Sequence, residues 1–460
     1  MFVRFHHRRR ADGCEAGRMS TDELRGLLGE WAREAGVPGV SAGILHEGKE
    51  TLLTTGVSSV DTGTPVDDDT LFMIGSTSKT FAAAAVLVLV EDGVLELDQP
   101  VVEYLPELRL SDPLATKTVT LRHLLTHSSG FLGDIEVDTG WGDDALARAV
   151  ERFGELPQIF PVGEVFSYCN AGFLLAGRVA EAVSGGTYED LVRTRLLEPL
   201  GMTDSYFQPW EVLTRRHAVG HALREDGPAV AHTVGLSRAD APAGGLWSTA
   251  RDQLKWARFQ LDGGEVLSDG TRRLMHAAQR KGALPFEEVG LSWLRLRHGD
   301  AQLVRHGGNV SNLQLSEFVM APSENLAVTV LTNSAGGGAL GPRVVDWCLE
   351  NLADLPKPGS LPVWAIDPGD CLGRYRTGSL IFDITERDGS LWAQMILDTD
   401  DPDILSAPPF EVVFVAEDVL ARASDTRRPS ARFRRDSRGR VDAVESGGRT
   451  ALKLPGSNIG

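Results

Sequence analysis

Apolar positions along the first hundred residues change period twice. Over 22–35 they fall at Leu24, Leu27, Leu28 and Trp31, a helical spacing that Gly36-Val-Pro-Gly39 ends. Segments 40–45 and 51–57 then read as two short strands around a Glu47-Gly48 turn. The run 81–90 is apolar throughout, long enough for a core helix and too short to cross a bilayer. Further on, the period predicts helices over 143–153 and 170–184, with Ser248 as a cap for a helix after the Gly-rich loop 241–252. Strands rich in Val and Leu follow at 289–297, 301–306, 313–320 and 326–332. A flexible Gly-rich turn over 333–341 then leads to a helix over 342–353.

After that helix the pattern changes. Residues 356–362 carry the prolines and glycine of a linker, and short strands then alternate with turns at Asp388-Gly389, 398–403 and Gly447-Gly448. A small antiparallel sheet or barrel of about a hundred residues is expected there. The predicted organisation is a flexible leader over 1–19 with Met19 as an alternative start, a domain over 20–355, the linker, and a β domain over 363–460.

Composition narrows the function classes. A net charge of −18, with 42% hydrophobic and 24% charged residues, describes a soluble globular chain and argues against nucleic acid or an anionic membrane as partner. The basic start, with His6 and His7, lacks an apolar segment of the secretory kind. The four cysteines, Cys14, Cys169, Cys348 and Cys371, are widely separated, so reduced thiols in the cytoplasm are expected.

The chemistry centres on Ser76 and Lys79, three residues apart where the apolar helix begins. Positions i and i+3 share a helix face, which brings the amine beside the hydroxyl it must activate. Unpaired backbone N–H groups at the helix start can meet a developing oxyanion. Lysine is scarce: of 46 basic residues seven are lysine, at 49, 79, 117, 255, 281, 357 and 453, and only Lys79 has a serine three places before it. Tyr168-x-Asn170 precedes a predicted helix; a tyrosine beside an ammonium can have its pKa lowered into use as an acid or base. The amide of Asn170 can hold a carbonyl or orient Lys79. His306-Gly307-Gly308 ends a strand, where the glycines admit a substrate backbone and the Asn309 N–H offers an oxyanion donor.

In the order Ser-x-x-Lys, Tyr-x-Asn, His-Gly-Gly, these motifs resemble those of the serine β-lactamase and penicillin-binding protein superfamily, nearest its class C β-lactamase, D-aminopeptidase, esterase and thioesterase branch. Leu124-Leu-Thr-His-Ser-Ser-Gly130, Pro161-Val-Gly-Glu164 and Gly244-Gly-Leu-Trp-Ser-Thr249 extend the likeness across 20–355. The resemblance implies an α+β fold of the β-lactamase/transpeptidase type. In it the first two strands and the 289–332 strands form one antiparallel sheet flanked by helices, beside a helical lobe. It implies an acylated Ser76 served by Lys79, Tyr168 and His306, and Asn170, Gly307 and Gly308 against substrate. The Ser76 and Asn309 N–H groups would form the oxyanion hole, and no metal or cofactor is called for. The substrate would be a small-molecule or peptide ester, amide or peptide bond, attacked by water or by an amine.

Lactamases of this branch carry Lys-Thr-Gly where this chain has His306-Gly307-Gly308. A neutral imidazole anchors a substrate carboxylate weakly, which favours esters, amides or peptides without one. The terminal β domain is similar in placement to the small barrels of D-aminopeptidases. It also resembles the lipocalin-like domain of stand-alone penicillin-binding-type peptide cyclases. Three other readings stand beside this one: an inert binding protein of the same fold, an α/β-hydrolase through Gly39-Val-Ser-Ala-Gly43, and a metal site at His217-x-x-x-His221. The second pattern opens a strand instead of joining strand to helix. The third lacks His-Glu-x-x-His, so its histidines read as packed or exposed.

Overall fold

The computed structural model describes residues 20–134, 138–232, 236–398, 406 and 408–456. The expected leader, with Cys14, His6 and His7, lies outside the described residues, as does most of the 398–403 turn.

Helix Thr21–Glu34 opens the chain, and strands Gly39–His46 and Lys49–Gly56 follow as a hairpin. Its two turn residues, Glu47 and Gly48, both have positive φ (48° and 79°), the backbone that matches the natural twist of paired strands. The hairpin joins a mixed-length antiparallel sheet. From one edge its order is Lys49–Gly56, Gly39–His46, Leu326–Thr332, Gln314–Ala321, Ala301–Arg305, Leu294–His298, Glu288–Val289 and Arg280–Lys281, with Gly308–Val310 also paired to Gln314–Ala321. This is the single sheet the resemblance implied.

Alternation sorts the central strands between two cores. Phe318 and Met320 face the core shared with helices Ser78–Glu91, Asn170–Ser184 and Ala250–Asp262. Their neighbours Val319 and Ala321 face the core built by the first helix and by Gly337–Asn351. Helix Ser78–Glu91 is buried along nearly its whole length, which its unbroken apolar run requires. On its far side sits the helical lobe.

Two local expectations change. The Gly-rich run 333–341 is no loose turn: the helix already starts at Gly337. A side chain at Gly336 would strike the Ala35 carbonyl and one at Gly337 the Thr332 hydroxyl, so these two glycines serve close packing against the end of the first helix and against the sheet. Thr249, not Ser248, caps helix Ala250–Asp262, accepting from the Asp252 N–H. Ser248 belongs instead to a two-residue strand bonded to Phe72–Met73 and Ser205–Tyr206. The pattern at 39–43 is strand, with Ser41 buried in the sheet, and His221 sits in strand His221–Arg224 with its ring bonded to the Asn333 carbonyl and the Val60 N–H.

Beyond 355 the chain forms a closed antiparallel barrel of eight strands, from Gly373–Thr377 to Arg449–Lys453. Its interior holds Tyr375, Phe382, Phe414 and Phe433. Leu361 and Trp364 of the preceding segment bond to barrel backbone at Thr426 and Phe414. Most arginines of 427–440 pair with acids: Arg427 with Asp425, Arg432 with Glu445, Arg435 with Asp370 and Asp418, Arg440 with Asp436. Arg428 reaches Asp346 of the last helix of the first domain, 3.2 Å away.

Candidate active site

Ser76 lies in the single tight turn Gly75–Thr77 that feeds helix Ser78–Glu91. Gly75 has φ of 51°, and a Cβ there would stand 3.0 Å from the Asn309 nitrogen. Only glycine lets the Ser76 turn and strand Gly308–Val310 approach so closely. Buried hydroxyls lock the two together: Ser316 donates to the Ile74 carbonyl at 2.7 Å and bonds Thr77 Oγ1 at 2.9 Å, while Thr77 also donates to the His306 carbonyl.

Lys79 reaches back along the helix face to Ser76, with Nζ–Oγ at 3.0 Å, and also donates to the Ala243 carbonyl. Its ammonium lies 5.0 Å from the Tyr168 ring centre and 5.6 Å from that of Phe173. Burial, then the Arg449 charge, bring its pKa down to about 7. A neutral Lys79 amine can donate to Ala243 and still accept the Ser76 proton.

Tyr168 faces Ser76, but its buried hydroxyl completes no hydrogen bond. Burial raises its pKa, reversing the lowering expected from a neighbouring ammonium. Tyr168 therefore stays a phenol, suited to pass a proton to a leaving group, and Lys79 is the group suited to act as base. His306 donates from Nδ1 to the Gly307 carbonyl at 2.8 Å, and its Nε2 is buried without a partner. Burial and Lys79 push its pKa down to about 3, so it is a neutral acceptor. Asn170 opens helix Asn170–Ser184, and its amide donates to Asp134 at 2.7 Å. The cap of that helix is Cys169, whose sulfur accepts from the Gly172 N–H; burial pushes its thiol up to about 11, in keeping with a packing residue.

Ser76, Tyr168, Asn170, His306, Gly307, Gly308 and Asn309 all line one cleft of about 810 Å³, with Lys79 buried beneath Ser76. The arrangement can take the serine proton, hold an oxyanion between Ser76 and Asn309, and return a proton from Tyr168.

Three residues of this site are not among the candidates read from the chain, although one of them, His127, lies within the Leu124–Gly130 motif. Arg449 enters the cleft from the barrel, pairs with Asp134 at 2.9 Å and lies 5.2 Å from the Tyr168 ring centre. The adjoining turn is bound as well: the Tyr168 N–H donates to the Gly448 carbonyl, and Thr450 bonds Ser167 and Phe166. The Gly447-Gly448 turn is visible in the sequence, its docking place is not. Asp134 stands just past the Leu124–Gly130 motif, with nothing local to mark it.

His127 is the third. It adopts a positive φ of 54°, uncommon for a bulky residue. Its carbonyl accepts from the Ser167 N–H and its Nδ1 from the Cys169 N–H, so one residue grips the chain on both sides of Tyr168. Its ring stacks on the Tyr168 ring at 4.3 Å. Burial and the Lys79 charge keep it neutral. His127→Ala is expected to destabilise the fold by roughly 2–4 kcal/mol and to lower kcat about tenfold or more. His127→Asn, which tolerates positive φ and keeps an acceptor, should recover part of the stability; thermal unfolding and steady-state rates would check both.

Fold and site together define an acyl-serine hydrolase or acyltransferase. The chain belongs to the Beta-lactamase family, whose sequence model matches residues 14–345. It is 39% identical to penicillin-binding protein 4 of Amycolatopsis lactamdurans over 337 residues, 69% of this chain and 86% of that one. Among solved structures, SurE with D-Leu matches with TM-score 0.70 at 29% identity, over 94% of this chain and 99% of that one, barrel region included. The D-amino acid amidase of Ochrobactrum anthropi SV3, in complex with D-phenylalanine, matches with TM-score 0.61 at 26% identity, over 73% and 99%.

Proposed function

We propose that Ser76 accepts the acyl group of an amino-acid or peptide ester, thioester or amide whose residue at the scissile carbonyl is D-configured. The observation that carries this reading is one cleft holding the Ser76–Lys79 pair at 3.0 Å, the Tyr168 phenol and the barrel's Arg449. The likeness to a D-amino acid amidase and to SurE with D-Leu supports the configuration. Arg449 supplies the cation that neutral His306 cannot, so a carboxylate on the substrate is again compatible with the site. Its Nε is buried without a partner, a donor suited to a carbonyl or carboxylate oxygen.

Release by an amine, giving aminolysis or cyclisation, is a second reading. Leu380, Met395 and Leu397 of the barrel line the cleft, and apolar walls disfavour water as the attacking group. Free thiols at Cys169, Cys348 and Cys371 support a cytoplasmic setting; among the described residues no helix is long and apolar enough to cross a membrane.

The test is intact-protein mass spectrometry with p-nitrophenyl esters of N-acetyl-D- and N-acetyl-L-phenylalanine. The reading expects a mass gain mapped to Ser76, formed at least about tenfold faster with the D ester. Preference for the L ester, or a label elsewhere than Ser76, would sink it. Arg449→Ala is expected to lower kcat/KM for a carboxylate-bearing D-peptide ester about 10–100-fold, and less for its amide counterpart.

A further inference from the structure

The catalytic cleft adjoins another cavity beside the strand Gly308–Val310. At Leu236 and Ser237 it shares a wall with this second cavity of about 420 Å³, which runs along Val310, one residue beyond Asn309. Met73, Phe207, Trp247 and Leu313 make that cavity mostly apolar, and all of its walls come from the first domain. A third cavity of about 670 Å³, beside Trp210, shares Trp141 and Phe207 with it as walls.

Large apolar side chains gather at this mouth. Trp141, Trp210 and Leu213 are 47%, 57% and 69% exposed, and the two indole rings lie 6.3 Å apart. Single exposed apolar residues are ordinary, whereas three large ones beside an apolar cavity mark a binding surface. The mouth is preformed, because Arg238 donates to the Trp141 carbonyl and pairs with Asp143 at 2.8 Å and Glu189 at 2.9 Å. Strand Gly308–Val310 pairs only with Gln314–Ala321 among the described strands. Its other edge leads from the oxyanion donor to the apolar cavity, and an extended peptide can lie along such an edge.

We propose that this groove is the subsite for the upstream part of a peptidyl acyl donor, and that it takes a bulky aliphatic or aromatic side chain one or two residues before the scissile carbonyl. The assignment rests on the acyl-Ser76 reading above. The acyl part is what stays bound through the acyl-enzyme, and a fixed groove remote from the barrel residues suits it. Fully burying one such side chain favours binding by about ten- to hundredfold.

The test uses the full chain and p-nitrophenyl esters of N-acetyl dipeptides that differ only in the upstream residue, Phe or Gly. The Phe donor is expected to exceed the Gly donor in kcat/KM by about tenfold or more, mainly through KM. In Leu213→Glu and Trp141→Ala, both changes at exposed positions, that ratio should fall to within about threefold. Saturable quenching of tryptophan fluorescence in Ser76→Ala by the Phe dipeptide amide, and not by the Gly one, gives the same answer without turnover. Labelling of Ser76 with no Phe preference, or a preference that survives both variants, overturns the groove assignment alone. No labelling of Ser76 by any ester overturns the catalytic reading, and the groove's acyl-donor role falls with it.

Discussion

Ser76→Ala is expected to abolish acyl-enzyme formation and to lower kcat by at least about 10³-fold, with the fold intact. The serine side chain is small and sits in a turn held by other groups, namely Ser316, Thr77 and the close approach of Gly75 to Asn309. Its loss removes the nucleophile without opening a core cavity. Loss of activity with unchanged unfolding temperature and circular dichroism would bear this out. Residual turnover within about tenfold of wild type would mean that another group carries the acyl chain.

Lys79→Met should cost about as much activity and yet stabilise the protein. The amine is buried, and its pKa falls from the ordinary 10.5 to about 7. In the wild type the base form is the active one, so kcat/KM should rise with pH through about 7 and level off above. For stability, the folded-state pKa lies below the unfolded value, so the unfolded chain holds the extra proton between about 7 and 10.5. Stability therefore rises with pH across that window, and below about 7 the burial penalty on the charged amine is complete. Methionine removes that penalty at similar volume, a gain of roughly 2–4 kcal/mol at neutral pH. A denaturant titration at several pH values would read the gain. A variant that is both inactive and less stable would contradict the burial argument.

Both predictions concern residues that the amino-acid sequence marks by itself. Ser76 and Lys79 are three places apart, and the apolar run behind them forces a helix. Local spacing alone brings the amine to the hydroxyl, as it does for the first hairpin with its Glu47-Gly48 turn. Strand parity likewise decides which side chains of Gln314–Ala321 and Leu326–Thr332 face which core. Tyr168, Asn170 and His306 are legible as separate motifs, each the short polar punctuation of a strand or helix end, and the family resemblance supplies their convergence.

What only the tertiary structure decided concerns groups far apart in sequence and the medium around them. Arg449 meets Asp134 across 315 residues, and no local pattern encodes which turn of a barrel docks on which loop. Helix Gly337–Asn351 begins inside a glycine run because Gly336 packs on the Ala35 carbonyl and Gly337 on Thr332, contacts invisible along the chain. The direction of the Tyr168 shift was likewise set by burial: the Arg449 charge favours the phenolate, but desolvation outweighs it once the ring is enclosed by His127, Lys79 and the barrel turn. Sequence determines which chemical groups exist and which near neighbours share a face; the distances and the dielectric that set their pKa values come from packing.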